Sequence, residues 1–187
     1  MEAADQASLE QLFRGAFRRL ASGVSVITYL SPNGKANGMT ATSVCSVSMS
    51  PPKLLVCINR QAKTREHIVA AGCFAVNFLS SSQRDVSQFC AQPGQDKVLQ
   101  PGWFCLADAN PRIPILNGAL ASLECSLGSV YEEATHSILI GSVVGADTSS
   151  ASCPLVYFDG AYHTELVKTQ PAAGSETLFE DMVRAYS

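Results

Sequence analysis

Two consecutive prolines, Pro51 and Pro52, separate a polar run of residues from an apolar one. Residues 40–50 before them are rich in Thr and Ser, whereas residues 53–58 after them are almost wholly apolar. Proline donates no backbone hydrogen bond and fixes φ, so the pair does not fit the middle of a central strand. The sequence therefore predicts a corner between one strand with a polar face and one strand buried on both faces.

The rest of the chain shows many short β-runs and few helical ones. Apolar spacing predicts an amphipathic helix over residues 7–20 that packs on the domain, with Ser8 as its N-cap. Further short helices are expected over residues 65–71, capped by Thr64, and from Ser81 or Ser82 through Phe89. Strands are expected at residues 24–30, 35–39, 43–49, 53–58, 73–79, 119–131, 136–144, 155–158 and 161–166. This order predicts a mainly β (α+β) fold, a closed antiparallel β-barrel with peripheral helices.

Length and charge narrow the class of protein. A chain of 187 residues suits one domain, expected at residues 1–166, followed by a tail at 167–187 with a short helix near its end. The net charge of −3 argues against nucleic-acid binding through basic patches. The small charged fraction, 16%, suggests that another subunit covers some apolar surface.

The seven cysteines are scattered, and none forms a C-x-x-C pair. They are expected to be free thiols of a reducing compartment. The N-terminal residues include Glu2, Asp5 and Glu10 and no apolar run, which argues against a secretion signal. No apolar run is long enough to span a bilayer, so a cytoplasmic protein without membrane contact is expected.

Groups that catalyse acid–base chemistry are scarce in this sequence. The three histidines, His67, His136 and His163, lie far apart, and no catalytic triad, carboxylate pair or metal-ligand spacing is evident. No G-x-G-x-x-G follows a strand, so a Rossmann site is not supported. Hydroxyls and loop amides are abundant instead, which favours a bound cofactor that supplies the chemistry.

Two turns flank the strand pair at the double proline. The first, led by Gly38, offers small side chains and open amides that suit the pyrimidine edge of a flavin ring. A plain Ser/Thr-rich β-edge explains that turn equally well. The second, residues 59–64, carries Arg60 and Lys63 before a helix N-terminus, an arrangement that suits a phosphate. Taken alone it is also consistent with a solvated, charged turn, but both turns together suit one ligand.

Several motifs in this order resemble the flavin reductase-like, FMN-binding split-barrel family, over roughly residues 13–166. They are FRGAFRRLASGVSVIT at 13–28, GMTATS at 38–43, SMSPP at 48–52, LLVCIN at 54–59, AGCFAVNFL at 71–79 and PLVYFDGAY at 154–162. The resemblance implies a Greek-key split barrel, a homodimer, and an NAD(P)H:flavin oxidoreductase that supplies reduced FMN or FAD to a separate monooxygenase.

The resemblance also implies where the ligands lie. The isoalloxazine is expected over residues 40–43, the ribityl chain at Asn59, the phosphate near Ser46 and residues 60–64, and the nicotinamide beside His136 as the catalytic residue. The full set of expected cofactor contacts is Gly38, Met39, Thr40, Ala41, Thr42, Ser43, Ser46, Asn59, Arg60, Gln61, Lys63, Thr64 and Phe89.

One departure from the family pattern keeps two alternatives open. The family commonly has Gly-Asp-His where this chain has Ala134, Thr135 and His136, so a carboxylate is missing beside the histidine. The same barrel would also suit an FMN-binding electron carrier or sensor without turnover. A flavoenzyme acting directly on an organic substrate, admitted beside the irregular stretch 92–116, is the other alternative.

Overall fold

A computed structural model describes residues 3–94, 97–107, 113–149 and 153–167. The predicted tail at 167–187 therefore falls almost entirely outside the described residues. The helices are α1 (Ala3–Arg18), α2 (Lys63–Ala71) and α3 (Arg84–Ala91), with a 3₁₀ turn at Ser81–Gln83. The strands are β1 (Ser22–Gly23), β2 (Ser25–Leu30), β3 (Ala36–Ala41), β4 (Val44–Met49), β5 (Pro52–Asn59), β6 (Cys73–Phe78), β7 (Phe104–Leu106), β8 (Pro114–Leu116), β9 (Ala121–Glu133), β10 (His136–Thr148), β11 (Val156–Phe158) and β12 (Ala161–His163).

The main sheet has seven strands in the order β3-β2-β6-β9-β10-β5-β4. Every pairing in it is antiparallel, so the mainly β prediction is confirmed. The two edge strands, β3 and β4, are consecutive in the chain and are joined by residues 42–43. Strands from both halves of the sheet contribute to one core cluster, which includes Ile27, Ala41, Val56, Phe74 and Leu139. The sheet therefore curls around a common interior.

The predicted closure of the barrel is not observed in the described residues. The outer edge of β3 is occupied by the segment after α3: Gly38 N donates to Lys97 O at 3.1 Å and Leu99 N donates to Ala36 O at 2.9 Å. These bonds satisfy groups that a closing ladder to β4 would need. The sheet of described residues is therefore open between its two edges.

The N-terminal helix differs from the prediction in position and packing. It spans Ala3–Arg18 rather than residues 7–20, and the expected cap residue Ser8 lies inside it. Its apolar side chains are largely uncovered by the described residues: Leu12 is 69% exposed and Phe13 is 61% exposed. The helix is joined to the β11–β12 hairpin instead, where Asp159 N donates to Arg18 O at 2.8 Å.

A buried amide joins four strands at the base of the sheet. Asn77 of β6 is fully buried, and its Nδ2 donates to Val26 O and Thr28 Oγ1, both at 3.0 Å. Its Oδ1 accepts from Leu116 N and Ser122 Oγ, both at 2.9 Å. The amide is thus fully hydrogen-bonded, and it fixes β2, β8 and β9 relative to β6.

We predict that Asn77→Ala destabilises the protein by about 2–4 kcal/mol, because it leaves buried donors and acceptors without partners. Urea denaturation followed by circular dichroism measures this loss. Ser126→Ala, an exposed hydroxyl on neighbouring β9, is the matched control and should change stability by less than about 0.5 kcal/mol. Equal unfolding midpoints for Asn77→Ala and the control would contradict the assigned role.

Candidate active site

The two turns singled out in the sequence lie side by side. Cys57 N donates to Ser43 O at 3.3 Å, and Ser43 Oγ donates to Cys57 O at 3.1 Å. Cys57 precedes Asn59, where β5 ends and the second turn begins. The β3–β4 turn and the β5–α2 loop therefore share one end of the sheet, as binding of a single ligand requires.

Strand β10 brings His136 to the same end of the sheet. His136 pairs with Asn59 across the β5–β10 ladder, and Arg60 N donates to Thr135 O at 3.0 Å. The histidine is exposed, and its Nδ1 lies 2.9 Å from Thr135 Oγ1. Thr135 thus occupies with a hydroxyl the place where the family commonly has a carboxylate, and Nε2 is the ring nitrogen left for a ligand.

Within residues 40–43, some of the side chains expected to face a ligand instead form hydrogen bonds or pack inside the protein. Thr40 and Ala41 belong to β3 rather than to a loop. Thr40 Oγ1 donates to Ser87 O of α3 at 2.7 Å, and Ala41 is buried in the core. Thr42 lines two shallow surface hollows. The turn therefore presents Thr42 and main-chain groups, while the hydroxyls of Thr40 and Ser43 already have protein partners.

Gly38 has a packing role that was not predicted. A Cβ there would lie 2.7 Å from Cys90 Sγ, 3.0 Å from Val26 Cγ1 and 3.1 Å from Leu99 Cδ2. Burial raises the pKa of Cys90 to about 12, and the Lys97 charge opposes that shift. The thiol is therefore protonated at neutral pH and acts as an apolar side chain. Glycine is needed here so that α3 can approach β3 closely.

Two other predicted contacts, Met39 and Ser46, have ordinary positions in the sheet. Met39 is half-buried and packs on the main core. Ser46 is exposed on β4, opposite Leu54.

Helix α2 begins one turn away from Asn59, without a side-chain cap. It starts at Lys63 with Ala62 at the N-cap position, so the prediction that Thr64 caps it is wrong. Thr64 is buried, and its Oγ1 lies 3.0 Å from Tyr29 Oη. Backbone amides at such an end attract anions.

A hollow of about 280 Å³ lies at this helix start, and we call it the lysine hollow. It is lined by Tyr29, Gln61, Ala62, Lys63, Thr64, Gly94 and Lys97. Burial lowers the pKa of Lys97, a shift that the nearby Cys90 opposes. Two lysines beside an uncapped helix N-terminus have the donor chemistry that a phosphate group requires, so the residues present fit a flavin phosphate.

A second hollow, of about 470 Å³, lies on the other side of Gln61, and we call it the arginine hollow. It is lined by Asn59, Arg60, Gln61, Arg65, Glu132, Ala134 and Thr135. Arg60 Nε lies 2.7 Å from Glu132 Oε2, and Arg65 binds the other carboxylate oxygen. Ser137 Oγ also donates to Glu132 Oε2, at 3.1 Å. The guanidinium of Arg60 is thus directed toward the β9–β10 turn rather than toward the start of α2.

The charge state of Glu132 follows from these contacts. Desolvation alone would raise its pKa, but the hydrogen bonds from Ser137 and Arg65 and the charges of Arg65 and Arg60 lower it overall. The carboxylate is therefore ionised at neutral pH. Sequence reasoning missed Arg65 and Glu132, because their proximity depends on the β5–β10 pairing and no local motif marks it.

Phe89 lies on α3, the helix that contacts β3 through Ser87 and Cys90. It packs edge-on against Trp103, with ring centroids 5.4 Å apart, in a second core cluster beneath α3. None of the other predicted cofactor contacts belongs to that cluster. Among the described residues, no group of three or more His, Cys, Asp or Glu side chains is arranged to hold a metal ion.

Comparison with known proteins identifies the family to which the chain is similar. Residues 17–166 match the model of the flavin reductase like domain. The FMN reductase (NADH) RutF of Stutzerimonas stutzeri is 37% identical over 81% of this chain and 86% of its own length. The reductase component of 4-hydroxyphenylacetate 3-monooxygenase from Pseudomonas aeruginosa is 37% identical over 82% of this chain and 91% of its own.

A solved structure gives the same result. The flavin reductase of styrene monooxygenase from Pseudomonas putida S12 superposes with a TM-score of 0.75 and 29% identity, over 84% of this chain and 99% of that one. The match to the family model covers most of the chain and includes both turns, β5, β10 and His136. The chain belongs to the flavin reductase-like domain family.

Proposed function

We propose that this protein is an NAD(P)H:flavin oxidoreductase that reduces FMN or FAD and supplies the reduced flavin to a separate monooxygenase. One structural observation supports this assignment above all. The β3–β4 turn, the uncapped start of α2 and His136 lie together at one end of the sheet. The family relatives named FMN reductase (NADH) and monooxygenase reductase component support the same assignment.

The proposed flavin position follows the distribution of donors. The lysine hollow would hold its phosphate, Asn59 its ribityl chain, and the main chain of residues 40–43 its ring. When bound, the flavin would supply the hydride-accepting chemistry of the reaction. The main-chain amides at the β3–β4 turn would stabilise negative charge on such a ring. The described residues thus bind and orient two ligands, which agrees with the scarcity of acid–base groups.

His136 is proposed to position the nicotinamide. The hydroxyl of Thr135 holds Nδ1 at 2.9 Å, so the ring presents Nε2 in a fixed direction without a carboxylate. A hydroxyl carries no charge, and it orients the imidazole by a hydrogen bond alone. The histidine therefore acts as an orienting group beside the flavin and does not need to transfer a proton.

We also propose that the functional unit is a homodimer of split barrels. The exposed apolar side chains of α1 form a continuous candidate interface, and Leu9, Leu12, Phe13 and Phe17 are each more than half exposed. Such a set on one helix is typical of a surface that another subunit covers. The proposal includes a domain of residues 1–166, the tail as a partner or dimer element, and a cytoplasmic location. No described helix has the length and apolar character needed to cross a bilayer.

A second candidate function is an FMN-binding carrier or sensor without turnover. The observation that favours it is Thr135 in place of the family's usual carboxylate. A carrier retains its flavin through purification and accepts about one hydride equivalent for each bound cofactor. A reductase, by contrast, reduces flavin that is supplied in large excess.

The test of the proposed function is anaerobic oxidation of NADH or NADPH by the purified protein with excess FMN or FAD. We expect many turnovers with at least one flavin–dinucleotide pair, because reduced flavin leaves the site. In the same assay, Thr135→Val should slow flavin reduction about three- to tenfold by releasing His136, while Thr135→Ser retains the rate. If no pair supports turnover, or if reduction stops after one equivalent of bound flavin, the reductase assignment is wrong.

A second prediction concerns the lysine hollow. Lys63→Gln should weaken FMN binding about tenfold, because it removes a charged phosphate ligand, and should leave riboflavin binding unchanged. Fluorescence titration of both flavins measures the two dissociation constants. Lys53→Gln on β5 loses the same charge away from the lysine hollow and serves as the control. Equal losses for FMN and riboflavin would contradict the phosphate assignment.

A further inference from the structure

We propose that the arginine hollow binds a phosphate group of the reduced nicotinamide dinucleotide, with Arg60 and Arg65 as its ligands. This inference rests on the proposed function and adds to it the second substrate's phosphate site. It also reassigns Arg60, which sequence reasoning had placed with the flavin phosphate.

The two guanidinium groups are held in place by one carboxylate. Arg60 Nε and an Arg65 terminal nitrogen contact opposite oxygens of Glu132, and Arg65 Nε donates to Ser137 Oγ at 3.2 Å. Arg60 Nη1 also donates to Ala134 O at 3.3 Å. Both side chains are thus oriented before any ligand arrives, which reduces the entropy lost on binding.

Each arginine retains donors that an anion would use. Within the part of the chain that the structure describes, Arg60 Nη2 and Arg65 Nη1 make no hydrogen bond. The lining residues carry two positive charges and one negative charge, so the hollow has a net charge of +1. Arg60 and Arg65 are 51% and 29% exposed, which leaves both accessible to a ligand from solvent. Paired guanidiniums recognise phosphate through several charge-assisted hydrogen bonds.

The position of the hollow favours the dinucleotide over the flavin as the source of that phosphate. Gln61 lies between the lysine hollow and the arginine hollow and lines both. The arginine hollow is lined by Thr135, the residue that holds His136. The lysine hollow and the arginine hollow, which adjoin at Gln61, could each bind one phosphate group. The proposed reaction brings together two ligands that carry phosphate, a flavin and a dinucleotide. The one beside His136 belongs to the ligand whose nicotinamide lies there.

The test compares hydride donors that differ in their phosphates. Arg65→Gln is assayed under anaerobic conditions with NADH, NADPH, reduced nicotinamide mononucleotide and 1-benzyl-1,4-dihydronicotinamide, which has no phosphate. We expect kcat/KM for NADH and NADPH to fall about tenfold, whereas the ratio of variant to wild type stays near one for the benzyl compound. A loss with the mononucleotide as well would identify the phosphate next to the nicotinamide ribose, and a loss confined to NADPH would identify the 2′-phosphate.

Further measurements distinguish a loss of phosphate binding from a loss of structure. Lys35→Gln removes one positive charge from an exposed turn that does not line the arginine hollow, and it should leave all four donors unaffected. Arg60→Gln provides an independent variant in case Arg65→Gln unfolds. Wild-type kcat/KM for NADH should also fall with ionic strength, and this dependence should be weaker in both arginine variants.

Three results would overturn the proposal. Equal losses with all four donors would make the arginines structural, and unchanged kinetics would show that the hollow binds no phosphate. A raised dissociation constant for FMN but not riboflavin, with normal NADH kinetics, would assign the hollow to the flavin. Failure of the proposed function gives a different result, because the wild-type protein would then oxidise no NAD(P)H with either flavin.

Discussion

The pairing of β5 with β10 is the constraint on which the candidate site depends. Its register is fixed by burial, since Val56 and Ile58 face the core together with Leu139. A slip of one residue would turn these apolar side chains toward solvent, so the register that places His136 opposite Asn59 is strongly specified. The same ladder places the turn before His136 against the loop after Asn59, and this contact forms the arginine hollow. Core packing thus determines the geometry of residues that themselves remain exposed.

The opening between the sheet edges β3 and β4 is the second structural feature that shapes the candidate site. The edge of β3 is occupied by the segment around Lys97 and Leu99, which also places Lys97 at the start of α2. The same segment therefore occupies the edge of β3 and supplies a cation to the proposed phosphate site. Gly38 permits it, because any larger residue there would push Cys90 and α3 away from the sheet. The glycine that sequence reasoning assigned to the ligand thus acts on the shape of the site through packing.

Much of this arrangement is predictable from the sequence, because it depends on local patterns. Apolar runs and turn residues locate most of the strands, and Pro51 and Pro52 mark the β4–β5 corner. The missed features depend on contacts between distant residues. Thr64 has the spacing of a helix cap, but its hydroxyl faces Tyr29 in the core. Periodicity identifies the apolar face of α1, yet it cannot show whether that face is covered by the same chain. The approach of Arg65 to Glu132 likewise follows from sheet topology rather than from any motif.

In the proposed complex, the β3–β4 turn and the start of α2 bind opposite ends of one flavin. A crystal structure of the protein with FMN tests it most directly. The isoalloxazine is expected against the main chain of residues 40–43, the ribityl chain at Asn59 and the phosphate between Lys63 and Lys97. A flavin bound away from these two turns would contradict it.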